Sequence, residues 1–391
     1  MAISFSGCGA KADLESSIQM ESAQTDASEQ DSTSEQDSAL DSAPILTGVT
    51  VNITVRDIGQ YPENFVLTFD KDIPRADISA SYFSMTGTAG MWGSEDKRDF
   101  TCSFKDVTIQ GNTLTLVPDS FPEKYFYVEE FEVTCEKEPS FCFTDKDVTS
   151  VITAVADEFE TLTWDGDVSF DYRLFTPADP EKKPLVIVFH GYGDTNNLLT
   201  YKTAVAWAEP ENQAKRPCYV LAPVIEDKPY FQAASRDRIY DAVEDIVDSL
   251  VAEGKVDKNR VYVMGNSFGG LATIEFCEKY PGIVAGALAL CPATTYAQNA
   301  NLNLEKMKDV PVWFAHAEHD NTIPVSATKI ASQALETLGA REVRTTIYSD
   351  DNMNAVGADP SPDATYSYHH VELAVMQDET YMEWLFEQVK N

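Results

Sequence analysis

From Pro44 onward, hydrophobic and polar positions alternate with a period of two. Val49, Val51, Ile53 and Val55 interleave with Thr50, Asn52 and Thr54, the pattern of a strand with one buried and one wet face. Similar runs recur at 64–69, 99–104, 112–117 and 125–135, separated by turn clusters such as Gln110-Gly111-Asn112. No helical period interrupts them, so residues 44–155 predict an all-β domain, a sandwich of short strands. From about Thr161 the pattern changes. Apolar residues now come in unbroken runs at 185–189, 219–221, 261–264, 284–290 and 312–315, with helical periods between them. Ile239, Val243, Ile246 and Leu250 form one stripe that ends at Gly254, a fitting helix C-cap. Continuous apolar strands alternating with amphipathic helices predict an α/β domain over residues 156–391. Its mostly parallel sheet would be covered on both faces, with ligands expected at the C-terminal strand ends.

Residues 1–43 share neither pattern. They hold one Lys and nine acidic residues, and the segment SEQDS occurs at 28–32 and again at 34–38. Too few apolar residues are present to offset the entropy of ordering, so an acidic, disordered tether is expected. The whole chain carries 29 Lys and Arg against 64 Asp and Glu, a formal charge of −35. That excludes nucleic acid as an expected partner. No apolar run of 18 residues occurs anywhere in the 391, so no membrane-spanning helix is expected. None of the seven Cys falls in a CxxC pair. Cys102, Cys135 and Cys142 could pair or could be buried thiols.

The sharpest local signal is Gly265-Asn266-Ser267-Phe268-Gly269, reached directly from the apolar run 261–264 and followed by a helical stretch that Pro281 stops. A strand–turn–helix this tight needs very small residues two before and two after the Ser, and it lifts the Ser hydroxyl above the sheet edge. A nucleophilic Ser requires a base, and the base an orienting carboxylate. The strand run 312–315 leads into His316-Ala317-Glu318-His319-Asp320, which puts Asp320, with Glu318 as the alternative, where that carboxylate belongs. His316, Glu318, His319 and Asp320 also admit a metal-ligand reading, but no HExxH helix supports it. The adjacent His369 and His370 follow the last strand and precede the C-terminal helix, so one of them is expected as the base. His190-Gly191-Tyr192-Gly193 opens directly after the run 185–189. Its backbone N–H groups, with that of Phe268, would form an oxyanion hole, while His190 itself is expected to be a structural hydrogen-bonder. All five His of the chain lie at predicted C-terminal strand ends.

These residues resemble the α/β-hydrolase superfamily. The chain is most similar to secreted bacterial esterases of the polyhydroxybutyrate-depolymerase and feruloyl-esterase type, which are prolyl-oligopeptidase-like. The resemblance extends over 170–177, 207–213, 218–223 and the approach to the elbow at 256–265. Some such esterases carry an immunoglobulin-like N-terminal domain, which residues 44–155 resemble. The family's terminal His stands fourteen residues before a helix Trp; counting back from Trp384 gives His370. The segment Phe5-Ser6-Gly7-Cys8 resembles a bacterial lipobox, which implies a lipid on Cys8 and an extracellular or cell-surface location. Phe268 replaces the family's usual Met, and Val371-Glu372 stand where a Trp is usual. Both departures bear on the substrate pocket.

The resemblance thus implies a serine carboxylic ester hydrolase with Ser267 as nucleophile, His370 as base and Asp320 as orienting acid. The Tyr192 and Phe268 N–H groups would hold the oxyanion, and neither cofactor nor metal is expected. Acetyl or feruloyl esters of plant polysaccharide are the implied substrates. A small serine peptidase of the prolyl-oligopeptidase-like type is one alternative, although 44–155 is too short for a propeller of seven blades of about 40–45 residues each. A catalytically dead cell-surface binding protein is the other.

Overall fold

The computed structural model describes residues 43–391 apart from 57–58, 75–76, 92–96, 120, 122–125, 196, 200, 227, 230–231, 296–301, 359–367 and 391. The acidic tether and Cys8 lie outside the described residues.

The first domain contains strands β1 (Leu46–Val55), β2 (Gln60–Phe69), β3 (Phe83–Met91), β4 (Lys97–Gln110), β5 (Thr113–Pro118), β6 (Phe126–Cys135), β7 (Phe143–Thr144) and β8 (Val148–Thr153). Their order is β7-β6-β3-β4-β5-β2-β1-β8. The long β4 serves two neighbours: Lys97–Ser103 pair with β3, and Phe104–Gln110 pair with β5. The sheet therefore folds over on itself, and Phe65 of β2 meets Phe131 of β6 at 5.8 Å and Phe143 of β7 at 5.7 Å. The predicted alternation is realised on β1, where Val49, Val51, Ile53 and Val55 are buried. Two features go beyond the sequence pattern. β8 closes the domain by pairing parallel to β1, and β7 is only two residues long. Cys102, Cys135 and Cys142 are free thiols.

Ala156 and Phe159 connect the domains. They join Val55 and Phe175 in one buried cluster, with the Phe159 and Phe175 rings 5.5 Å apart.

The second domain is built on strands β9 (Glu160–Asp165), β10 (Ser169–Phe175), β11 (Lys183–Phe189), β12 (Tyr219–Pro223), β13 (Val256–Asn266), β14 (Val284–Leu290), β15 (Val312–Ala317) and β16 (Val343–Tyr348). Their order is β16-β15-β14-β13-β11-β12-β10-β9. From β12 to β16 all neighbours are parallel; β10 and β9 add an antiparallel edge. Helices α1 (Lys202–Ala208), α2 (Pro210–Lys215), α3 (Ala233–Ala252), α4 (Phe268–Lys279), α5 (Ser326–Thr337), α6 (Asp350–Ala355), α7 (Glu372–Gln377) and α8 (Glu379–Glu387) complete the domain. Its buried side chains fall into two large clusters. Alternate residues of the central strands supply them: Val186 and Val188 enter one, Leu185, Ile187 and Phe189 the other. That is why these strands read as continuous apolar runs. The α3 stripe of Ile239, Val243, Ile246 and Leu250 is buried as the period requires, and Gly254 takes φ +77 just past the helix end.

Candidate active site

β13 passes directly into α4 through Ser267, whose backbone sits at φ 57, ψ −118. A non-glycine residue held there is strained by on the order of 1–3 kcal/mol and persists only where its surroundings enforce it. The surroundings are visible. Ser267 N donates to Leu290 O at 2.9 Å, and Ser267 O accepts from Ala293 N at 3.0 Å, which ties the turn to the end of β14. The flanking glycines have no alternative. A Cβ on Gly265 would strike Phe189 O and stand 2.5 Å from Gly269 O, and one on Gly269 would strike Phe189 O and stand 2.8 Å from His190 O. The smallness demanded by the sequence motif is thus a contact between the elbow and the end of β11.

The same contact brings the His190-Gly191-Tyr192 turn to the nucleophile. A Cβ on Gly191 would lie 3.5 Å from Asn266 Nδ2 and 3.8 Å from Ser267 Cβ. Phe268 opens α4, and its ring lies 5.8 Å from that of Tyr192, which is 48% exposed. His190 is held on both ring nitrogens: Ile225 N donates to Nε2 at 2.8 Å, so Nδ1 donates to Gly191 O at 2.6 Å. The ring ties the turn after β11 to the segment after β12.

Asp320 follows β15 and is 8% exposed. Thr322 N and Ile323 N donate to its Oδ1 at 2.8 and 2.9 Å. Oδ2 faces His369 Nδ1 at 2.7 Å and His316 Nε2 at 3.2 Å. Glu318, the alternative acid, is exposed, as is His319, which pairs with Asp350 at 2.8 Å. The cluster read as possible metal ligands therefore splits between the interior and the surface.

The structure corrects the choice of His370. His370 Nδ1 bonds Glu372 Oε1 at 2.8 Å, and its ring stacks on Tyr201 at 5.3 Å. His369 is the imidazole on Asp320. The count back from Trp384 fails because the C-terminal segment is not one helix: α7 ends at Gln377 and α8 begins at Glu379, with Asp378 capping Thr380 N between them.

Cys291 links the parts. It stands next to Leu290, the residue that receives Ser267 N, and its thiol donates to His369 O at 3.4 Å. One ligand-type atom from each of Cys291, Asp320 and His369 lies within 4.8 Å of the others. Among the described residues this is the trio placed to hold a metal ion. However, burial pushes the Cys291 thiol far above its ordinary range, and His369 and Asp320 are already bonded to each other.

Residues 172–357 match the phospholipase/carboxylesterase family. The chain is a hydrolase of the carboxylesterase type. A thermostable esterase has the same fold, with a TM-score of 0.69 at 24% identity over 88% of this chain and 100% of that one. That span exceeds residues 156–391, so the likeness of fold reaches into the first domain. Est1E from Butyrivibrio proteoclasticus, at 17% identity, covers 58% of this chain and 99% of its own with a TM-score of 0.43. A hyperthermophilic esterase from the archaeon Pyrobaculum calidifontis, at 16% identity, covers 60% and 85% with a TM-score of 0.41. No curated protein matches the chain.

In this esterase the electrostatics of the acid are settled by its partners. Burial alone would raise the Asp320 value, but hydrogen bonds from His316, His369 and Ile323 N outweigh it and hold the carboxyl well below the usual range. Asp320 is therefore ionised at every pH at which a His could act as a base. The sequence had marked Ser267, Asp320 and the His pair; it had not marked His316 as a partner of Asp320, or Cys291. The signal for His316 was its place at the C-terminal end of β15, four residues before the acid.

Proposed function

We propose that Ser267, His369 and Asp320 act as a triad that hydrolyses carboxylic esters. The observation that carries this reading is the 2.7 Å bond from His369 Nδ1 to the buried, ionised Asp320, beside a serine held at a strained elbow. Asp320 fixes the Nδ1–H tautomer, leaving Nε2 to take the Ser267 proton. The Ser267 oxygen attacks the ester carbonyl, and the negative charge develops on the carbonyl oxygen. The Tyr192 and Phe268 N–H groups are the donors for that oxyanion, each worth about 10²–10³ in rate. The His369 proton passes to the leaving alcohol, and water then repeats the cycle on the acyl-enzyme.

The finer assignments belong to the same proposal. The half-exposed Tyr192 ring, near that of Phe268 next to the elbow, offers an aromatic surface that suits an aromatic acyl group or a sugar ring, in keeping with feruloyl or acetyl esters of polysaccharide. The β-domain is taken as an immunoglobulin-like spacer or lid. Cys8 is taken as a lipid attachment point that places the enzyme at the cell surface. A fluorophosphonate probe should label wild type and leave Ser267→Ala unlabelled. A panel of acetyl, butyryl and feruloyl esters beside a prolyl-peptide amide should show turnover of esters alone. Labelling of Ser267→Ala, or faster cleavage of the amide, would refute the reading.

A further inference from the structure

The chain carries a formal charge of −35, yet one open cavity of about 750 Å³ gathers cations. Lys182, Lys183, Lys215, Arg216 and Arg260 line it, five of the 29 Lys and Arg in the sequence. It lies at the opposite end of the second-domain sheet from the elbow. Lys183 opens β11, and the stretch of β13 from Arg260 to Ser267 spans roughly 20 Å at the rise of a strand. Like charges so grouped repel, and the nearby acids offset them only in part. Asp179 pairs with Lys183 at 2.6 Å, and Glu379 pairs with Lys215 and Arg216 at 2.8 Å. Arg260 donates to neutral oxygens instead, Tyr262 OH at 3.2 Å and Phe386 O at 3.0 Å. Among the described residues no carboxylate pairs with Arg260 or with Lys182. The Arg216 side chain is 10% exposed, and its Nε has no hydrogen-bond partner among the described residues. A guanidinium short of acceptors in a cavity wall favours an anion close by.

The rest of the lining has a different chemistry. Glu383 and Glu387 stand one turn apart on α8, both exposed, and Phe386 with two prolines adds apolar surface. We infer that this cavity binds an acidic saccharide, whose carboxylate or phosphate meets the Lys and Arg side chains and whose hydroxyls donate to Glu383 and Glu387. A bare inorganic anion would gain from the cations but be opposed by the two glutamates. A neutral sugar would use the glutamates and leave the cations idle. A ring that carries both an anionic group and hydroxyls uses both walls, and its C–H face has the Phe386 and proline surface to cover. The two arginines suit an anionic group, because the guanidinium fork matches the geometry of carboxylate and phosphate oxygens. The site shares no residue with Ser267, His369 or Asp320, so the inference stands apart from the triad reading. It would hold an acidic glycan to the enzyme at the far end of the sheet from the elbow.

The test is calorimetric titration of the full chain, at low ionic strength, with trigalacturonate, glucose 6-phosphate, neutral maltotriose and inorganic phosphate. At least one of the two anionic sugars should bind with a Kd of about 1 mM or tighter, ahead of maltotriose and phosphate, and added salt should weaken it. Which of the two binds names the acid group. Lys182→Gln/Arg260→Gln should weaken that binding about ten- to hundredfold. Glu383→Ala/Glu387→Ala separates a saccharide site from a mere anion sink. With two negative charges gone, phosphate should bind more tightly, while the sugar, deprived of its hydroxyl partners, should bind about tenfold more weakly. Tightening of both ligands overturns the inference, as does binding of the anionic sugars no better than phosphate, or an unchanged Kd in folded Lys182→Gln/Arg260→Gln. Should the loss of Arg260 prevent folding, Lys182→Glu at an exposed position takes its place, with a loss of about tenfold expected and no loss overturning the inference. Turnover of a small activated ester, which binds at the distant elbow, reports that each variant is folded.

Discussion

Replacing each of the adjacent histidines by Ala should separate catalysis from stability in opposite directions. His370 is 6% exposed and bonded to Glu372, which is 2% exposed. Removing the imidazole strands a buried carboxylate whose second oxygen already has no hydrogen-bond partner among the described residues. Breaking such a pair costs about 3–5 kcal/mol, and the stacking on Tyr201 is lost with it. His369→Ala leaves Asp320 with Thr322 N, Ile323 N and His316, so it forfeits one hydrogen bond to a charged group, about 1.5–3 kcal/mol. Activity should sort the other way. His369→Ala removes the base and should lower kcat by about 10⁴–10⁶, whereas His370→Ala should stay within tenfold of wild type per folded molecule. Urea titration gives the stabilities, and turnover normalised by active-site titration separates kcat from the folded fraction. The double variant His370→Ala/Glu372→Ala should recover part of the lost stability, because the stranded charge goes too. The reasoning is refuted if folded His370→Ala is as inactive as His369→Ala, or if His369→Ala turns over normally.

Three further outcomes are expected. Gly269→Ala should fail to fold or lose activity outright, because its Cβ meets the backbone of Phe189 and His190, while Gly282→Ala, with nothing within 4 Å, should melt within about 0.5 kcal/mol of wild type; equal melting of the two would contradict the packing at the elbow. Burial raises the Glu278 carboxyl to about 7, so the native state holds a proton that the unfolded chain loses, and stability falls as pH rises from the ordinary carboxylate range through about 7. Glu278→Gln, discounted for partial exposure, should therefore be more stable than wild type by about 1–2 kcal/mol at pH 8 and indistinguishable at pH 4, which denaturant titrations at the two pH values will check. EDTA should leave ester turnover unchanged; loss on chelation with restoration by zinc would assign the Cys291, Asp320 and His369 trio to a metal.

Wherever function depends on local geometry, the sequence alone determined a great deal. Unbroken apolar runs marked the central parallel strands, since a strand buried on both faces has no polar side to show, and period-two alternation marked the strands of the first domain. The Gly-x-Ser-x-Gly turn placed the nucleophile because its small residues answer a contact with the adjacent β11, and position after β15 marked Asp320. What neighbouring elements decide jointly was not legible. Adjacent residues of a bent segment face different partners, so whether His369 or His370 meets Asp320 depends on the path of a loop and on the break at Asp378. A count along the chain contains neither. His316 reads as any histidine at a strand end until the fold lays it, Ile323 and His369 around one carboxylate. The parallel return of β8 onto β1 is likewise a long-range pairing with no local mark. Short-range sterics and burial are written in the order of residues; the sharing of one buried charge between distant side chains arises only when the chain has closed around it.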